Sequence, residues 1–346
     1  MITVKKEGII LEKTNLDFES GGVLNPAVIK EGNRVHLFYR AVSKGNFSSI
    51  GYCELEGPVL VKERHTSAVL SSEYSYESKG LEDPRLVKIE DTYFLTYTAY
   101  NGVNALGALA LSNDLIHFKK LGIIVPQITY QEFIRLTGHG VESKTRCLVY
   151  NEHNRIFHSD TEGVYLWDKN LIFFPRKIND KLCFLHRIKP DIQIIVEVSD
   201  LKELTYEFWL HYFLGIDESI VLSPKYKHEA SYIGGGCPPI ETAFGWLIIY
   251  HGVQDSKHGY IYSACAALLD LKDPRNEIAR LPYALFKPDQ EWELKGEVNN
   301  VCFPTGTSLF GDTLYIYYGA ADERIAVASI SISELLEELM NIHHEK

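Results

Sequence analysis

The 346-residue chain has no run of 18 consecutive apolar residues, no Cys-x-x-Cys pair and no excess of basic charge. Each absence removes a class of protein. Without a long apolar run no membrane span is expected. The N-terminal stretch MITVKKEGIILEKTNLDF lacks the apolar core and small-residue cleavage site of a signal peptide. Lys and Arg number 35 against 46 Asp and Glu, a formal net charge of -11. Nucleic acid needs a basic footprint, so that partner is not expected, whereas a neutral sugar is unaffected by this balance. The six cysteines (Cys53, Cys147, Cys183, Cys237, Cys265 and Cys302) have neither zinc nor redox spacing. They read as reduced structural residues of a cytoplasmic protein. With no His-x-x-x-His and no Cys/His cluster, no metal site is expected either.

Helical periodicity is equally scarce. It is convincing only in SISELLEELMNIHH, where Ser331 and Glu334 form a capping-box pattern and a helix is expected over about 331–343. Its leucine face either caps the rest of the chain, the preferred reading, or carries a homo-oligomer contact. By contrast Tyr (21) and Phe (16) are abundant, which favours strands.

A unit recurs along these strands. NPAVIKEGNRVHLFYRA from Asn25, EDPRLVKIEDTYFLTYTA from Glu82, FPRKINDKLCFLHRI from Phe174, PPIETAFGWLIIYHG from Pro238 and FPTGTSLFGDTLYIYYG from Phe303 share one layout. Each has a proline, a short apolar strand, a polar turn, and a second strand ending on an aromatic residue or His. Pro26 to Tyr39, Pro84 to Tyr97 and Pro304 to Tyr317 are each 13 residues apart. Five hairpins predict five small antiparallel sheets, and a radial arrangement protects their edges. The expected fold is all-β, a five-bladed β-propeller with a short C-terminal helix, forming one domain over 1–346. A two-sheet sandwich is the alternative. The stretch 126–170 is extra sequence long enough to serve as a lid.

In a propeller, equivalent positions of the units converge at one end of the channel. Residues beside the prolines and after the second strands include Asn25, Arg40, Glu82, Asp83, Arg85, His186, Arg187, Lys189, Glu229, His251 and Asp322. Carboxylates facing one another across a polar funnel suit glycoside cleavage, one protonating the leaving oxygen and another activating water. Glu82 and Asp83, Glu229 and Glu241, and Asp322 are the candidates. EDPR is also ordinary turn chemistry, with Arg85 paired to Asp83. Arg187 and Lys189, two apart on a strand, face one way and suit an anion or a solvated strand end. The glycines of YIGGGCPPI either approach a ligand or permit a tight wall. No Lys-Ser/Thr follows them, so they are not a phosphate loop.

Taken in order, LNPAVI…LFYRA, GLEDPRL, FPRKINDKLCFLHR, GGGCPPIETAFGWLIIYHGV and YYGAAD resemble glycoside hydrolase family 130, the β-mannoside phosphorylases and related β-mannosidases. The resemblance implies a five-bladed propeller and Asp83 as proton donor, acting in the phosphorylases through the mannosyl 3-hydroxyl. It implies that Asn25, Arg40, His251 and Asp322 surround the terminal mannose and that Arg187 meets phosphate. Two positions depart from the phosphorylase pattern, Tyr232 where a Lys or Arg is usual and Glu241 where a Lys is usual. Fewer cations weaken dianion binding. The expectation is therefore an inverting, exo-acting β-mannosidase on β-1,2-linked manno-oligosaccharides, with Asp83 as acid, Glu229 as base and Glu241 in reserve. Glu82, Arg85 and Tyr232 complete the substrate contacts. The alternative is a β-mannoside phosphorylase releasing mannose 1-phosphate, with Arg187, Lys189 and Lys169 holding phosphate as co-substrate beside His251. A non-catalytic carbohydrate-binding propeller is the third reading. None of the three needs a cofactor.

Overall fold

The computed structural model describes residues 2–137, 146–152 and 163–344. Alternation of apolar and polar residues, broken by turn residues such as Gly32, Glu90 and Gly311 at positive φ, folds the chain into antiparallel hairpins. The strands form four hydrogen-bonded sheets. The largest is two antiparallel halves joined by a single parallel bridge, Ser48 to Gly80. Its first half holds Gly22–Glu31, Arg34–Ser43, Phe47–Glu56 and Leu60–Arg64; its second holds Gly80–Ile89, Thr92–Tyr100, Ala105–Ser112 and Lys119–Ile123. A third group follows with Lys169–Phe173, Leu182–Arg187, Ile192–Val198 and Ile220–Leu222. The fourth is built on the long hairpin Gly245–Ser256 and Gly259–Leu269, flanked by Tyr232–Gly235, Ile240–Thr242 and Glu277–Arg280. In the fifth, Cys302–Phe310, Thr313–Ala320 and Arg324–Ser331 take their outer strand, Lys5–Leu11, from the other end of the chain.

The apolar core is divided in the same way. Phe38, Leu86 and Leu95 pack between the first two groups, and Phe94, Phe173 and Phe184 between the second and third. Leu185, Trp246 and Ile248 fill the next seam, then Leu247, Ile316 and Tyr318 the one after. The last cluster, with Val28, Leu37, Tyr317 and Val327, joins the fifth group back to the first. Each seam buries several large side chains, at roughly 1.5–3 kcal/mol apiece.

The terminal helix Ile332–His344 buries Leu335, Leu336 and Leu339 against the fourth and fifth groups, so its apolar face is spent within the chain. Ser331 Oγ accepts from the amide of Glu334, the expected cap, and Asp312 holds that hydroxyl. Further helices at Tyr130–Thr137, 146–152 and Tyr206–Leu214 were not legible as periodic patterns. Within 126–170, residues 138–145 and 153–162 lie outside the described residues, and with them the expected lid. Ile128, Tyr130, Phe133 and Cys147 from the rest of that stretch join the core with Trp209 and Phe213. All six cysteines are buried and unpaired. No helix among the described residues is long and apolar enough to cross a membrane.

Candidate active site

The first hairpins of the groups share a bulge. Residues 25–26, 83–84 and 170–171 are each set against a single residue of the neighbouring strand. Asn25, Asp83 and Asn170 take positive φ (50°, 49° and 54°), a strained conformation for residues with a Cβ. A bulge re-aims a side chain out of the pleat. Here all three line one cavity of about 250 Å³, with Arg40, Trp167, Lys169, Arg187, Lys189, Tyr232, His251, Tyr262, Val301, Phe303 and Asp322. Arg40 and Arg187 directly follow the residues packed opposite two of these bulges, and His251 follows Tyr250, which pairs with Gly235 in regular register. In the fifth group Pro304 opposes Tyr318, so the repeat there is displaced by one residue from the Pro304–Tyr317 alignment.

Charge in the cavity is divided. On one side Arg40 reaches Glu82 at 2.8 Å and Asp83 at 3.5 Å, while Lys169 reaches Glu82 at 3.3 Å. Asn25 Nδ2 donates to Asp83 Oδ1 at 2.7 Å. Burial raises the Asp83 carboxyl, but Arg40, Lys169, Asn25 and Arg85 together bring it down to about 2. Asp322 goes the other way: burial, with Asp83 and Glu82 adding to it against Arg40 and Lys169, lifts it to about 6.

On the other side stand Arg187 and Lys189, neither of which makes an ion pair among the described residues. Arg187 is 7% exposed and its Nε has no hydrogen-bond partner among the described residues. Both cations lie over the ring of Tyr232, Lys189 Nζ at 4.0 Å and the Arg187 guanidinium at 5.7 Å from its centroid. Burial, then Arg187 and Lys169, push Lys189 down to about 7. Burial, then Arg187 and Arg85, with Lys189 adding, keep His251 well below the ordinary imidazole range, so it is neutral, its ring tilted against Phe303 with centroids 4.3 Å apart.

Three expected site residues are elsewhere. Glu229 is fully buried behind the cavity wall, where it accepts from Tyr250, from the amides of Lys225 and Tyr226, and from Arg280 at 3.3 Å. Fully buried and not among the residues lining the cavity, it does not reach a water there. Glu241 is at the surface in a two-bonded pair with Arg176 at 2.6 and 2.7 Å. Arg85 is buried, and its guanidinium is spent on the carbonyls of Asp83, Pro84, Gly235 and Gly236, tying the second group to the fourth. His186 also points away from the cavity, into the core. The glycines of YIGGGCPPI are there for close packing: a Cβ on Gly234 would come within 2.4 Å of His251. Trp167, Asn170, Tyr262, Val301 and Phe303 were missed. Asn170 had a signal, since it occupies the place of Asn25 and Asp83, but no proline follows it.

Glu229 belongs to a repeated structural device. Glu19, Glu77, Glu229 and Glu293 are all fully buried and accept from Tyr39, Tyr97, Tyr250 and Tyr318 respectively. Each also pairs with a cation, Arg64, Lys120, Arg280 and Lys6 in turn. Removing one charge from such a site leaves the other buried and uncompensated. Glu229→Gln is therefore expected to lower unfolding stability by about 3–5 kcal/mol. Its folded fraction should keep the wild-type kcat, measured by denaturant titration alongside active-site-normalised kinetics. A folded but inactive Glu229→Gln would restore Glu229 to the chemistry.

A larger, shallower groove of about 630 Å³ includes Lys13, Glu291, Trp292, Lys295, Glu323 and Arg324. Its charges are spent on one another, as in Lys13–Glu323 at 2.9 Å and Arg324–Glu323 at 2.7 Å.

The 250 Å³ cavity is thus a partly open, polar pocket with carboxylates on one side and, on the other, cations that form no ion pair among the described residues. Residues 12–345 match the family model described as β-1,4-mannooligosaccharide phosphorylase. The chain belongs to glycoside hydrolase family 130. Among its relatives, a β-1,2-mannobiose phosphorylase of Thermoanaerobacter sp. is 35% identical over 91% of both chains. A 1,2-β-oligomannan phosphorylase of the same organism is 31% identical over 97% of this chain and 99% of its own. The solved β-1,2-mannobiose phosphorylase of Listeria innocua superposes with a TM-score of 0.73 over 98% of this chain and 99% of its own. At 22% identity, that likeness speaks for the fold. Membership makes this chain an enzyme acting on β-mannosides, in a family whose phosphorylases use phosphate as co-substrate and need no cofactor.

Proposed function

We propose that this protein is an exo-acting β-mannoside phosphorylase that cleaves β-1,2-linked manno-oligosaccharides and releases mannose 1-phosphate. The carrying observation is the pair Arg187 and Lys189, two cations that line the cavity and form no ion pair among the described residues. Uncompensated charge in such a place is costly, and a bound dianion removes the cost. The hydrolase expectation, in contrast, depended on Glu229 or Glu241 reaching the cavity. The linkage follows the two Thermoanaerobacter relatives.

In this reading the terminal mannose lies against Asn25, Arg40, Asp322 and His251, and phosphate lies between Arg187, Lys189 and Lys169. A phosphate oxygen attacks the anomeric carbon, the glycosidic C–O bond breaks, and the proton of Asp83 ends on the leaving oxygen. A volume of about 250 Å³ is below the ~300–1,000 Å³ of sites for drug-sized ligands. That suits one sugar and one small anion, and hence attack at a chain end. The five antiparallel groups, the five seams and the strand contributed from the N-terminal end favour a closed five-bladed propeller acting as a single domain.

The test is product analysis with β-1,2-mannobiose, with and without millimolar phosphate. Mannose 1-phosphate formed in step with phosphate is the expected result. Mannose released at a rate indifferent to phosphate would overturn the proposal in favour of hydrolysis, and no turnover of any β-mannoside would leave a sugar-binding role.

A further inference from the structure

The third group breaks the buried Glu–Tyr–cation pattern. His186 stands opposite its bulge, in the place that Tyr39 and Tyr97 hold in the first two groups. The acid is Asp168, directly before the strand Lys169–Phe173, and its Oδ2 accepts from His186 Nδ1 at 2.7 Å. That leaves His186 Nε2 to accept from the Tyr212 hydroxyl, also at 2.7 Å. Asp168 and His186 are both fully buried. Tyr212 comes from the inserted helix Tyr206–Leu214, which packs with Trp209 and Phe213 in the core. Among the described residues, no Lys or Arg pairs with this acid as one does at the other four sites.

What this chain of hydrogen bonds holds is specific. Lys169 and Arg187 are register partners on adjacent strands. Asp168 immediately precedes one and His186 immediately precedes the other. Successive side chains point to opposite faces, so a bond between Asp168 and His186 on the core face clamps Lys169 and Arg187 on the cavity face. The backbone of Asp168 is fixed as well, its amide donating to Ala105 O at 3.2 Å and its carbonyl accepting from Gly107 at 2.9 Å. The remaining oxygen, Asp168 Oδ1, has no partner among the described residues, which leaves a buried negative charge beneath the cavity cations.

We propose that Asp168, His186 and Tyr212 form a positioning triad that sets the spacing of Lys169 and Arg187 for phosphate. The inference rests on the phosphorylase reading. The triad touches neither sugar nor phosphate and acts through the two cations. In the other groups the equivalent bonds support the sheet; here the residues that follow the bonded pair, Lys169 and Arg187, both line the cavity. Tyr212→Phe removes one hydroxyl and Asp168→Asn one charge, each with little change of shape. Tyr97→Phe is the control, since it breaks the equivalent bond where the next residue, Thr98, does not line the cavity.

Phosphate binding to the intact protein is measured first by calorimetry, then KM for phosphate and for mannobiose in all variants. The expected result is a five- to thirty-fold rise in phosphate Kd and KM for Tyr212→Phe and Asp168→Asn. KM for mannobiose should stay within twofold, and Tyr97→Phe should leave both constants unchanged at a comparable loss of Tm. Unchanged phosphate affinity in both triad variants overturns the positioning role. So does a parallel loss for mannobiose, which marks a general structural role. If the wild type itself binds no phosphate, the phosphorylase reading fails, and this inference with it.

Discussion

Arg187→Met is expected to abolish phosphate-dependent turnover while making the protein more stable. The two effects have one cause. Arg187 is 7% exposed, its Nε has no partner among the described residues, and Lys189, two residues further along the chain, repels it. Without phosphate its desolvation outweighs the attraction of Asp168 and Asp83, so an apolar side chain of similar length relieves the fold. With phosphate bound, the guanidinium supplies charge-assisted hydrogen bonds to a dianion from a buried position. Truncating such a partner costs about 2–5 kcal/mol, or roughly 30- to 4,000-fold in affinity. The loss should appear in kcat/KM for phosphate at saturating mannobiose, together with a raised Tm. A stabilised variant with unchanged phosphate kinetics would place the anion elsewhere and remove the observation on which the proposed activity depends.

Much of this site could be read from the sequence because it is built on a repeat. Asn25 and Asp83 recur at one position of a hairpin and Arg40, Arg187 and His251 at another, and with Asp322, just past the end of the strand Thr313–Ala320, they face one cavity. Glu229 misled because a carboxylate near a glycine-rich turn resembles a water-activating base. Its true signal was also periodic: Glu19, Glu77 and Glu229 stand 20, 20 and 21 residues before the tyrosines they bind. Read across the units, that spacing marks Glu229 as one of a set of structural acids. Glu241 and Arg85 turn on side-chain direction, which a one-residue difference in strand register reverses. Trp167 and the helix Tyr206–Leu214 belong to insertions in the third group, outside the repeat, where comparison between units has nothing to compare. For the same reason the Asp168–His186–Tyr212 chain becomes visible only as a departure from the four Glu–Tyr sites.

Asp83→Asn is expected to lower kcat on mannobiose by about 10²–10⁴, the usual contribution of a general acid. KM for phosphate should change by less than fivefold. The difficulty is that Asp83 sits at about 2 in the empty cavity, so near neutrality it has no proton to give. Its depression comes from Arg40, Lys169 and Asn25 overcoming burial. A dianion entering beside these cations reverses part of that balance, since like charge favours the neutral carboxyl. Phosphate would thus charge the acid as it binds, and in the empty enzyme Asp83 would stay ionised and idle. Two consequences separate this from a purely binding role. The kcat–pH profile at saturating phosphate should have a basic limb well above pH 2, absent in Asp83→Asn. Mannosides with strongly acidic leaving groups, which need no protonation, should be turned over by Asp83→Asn at near the wild-type rate. Asp322, already raised to about 6, is the competing donor. An Asp83→Asn enzyme that keeps its kcat on mannobiose, beside an Asp322→Asn enzyme that loses both the rate and the basic limb, would transfer the acid to Asp322.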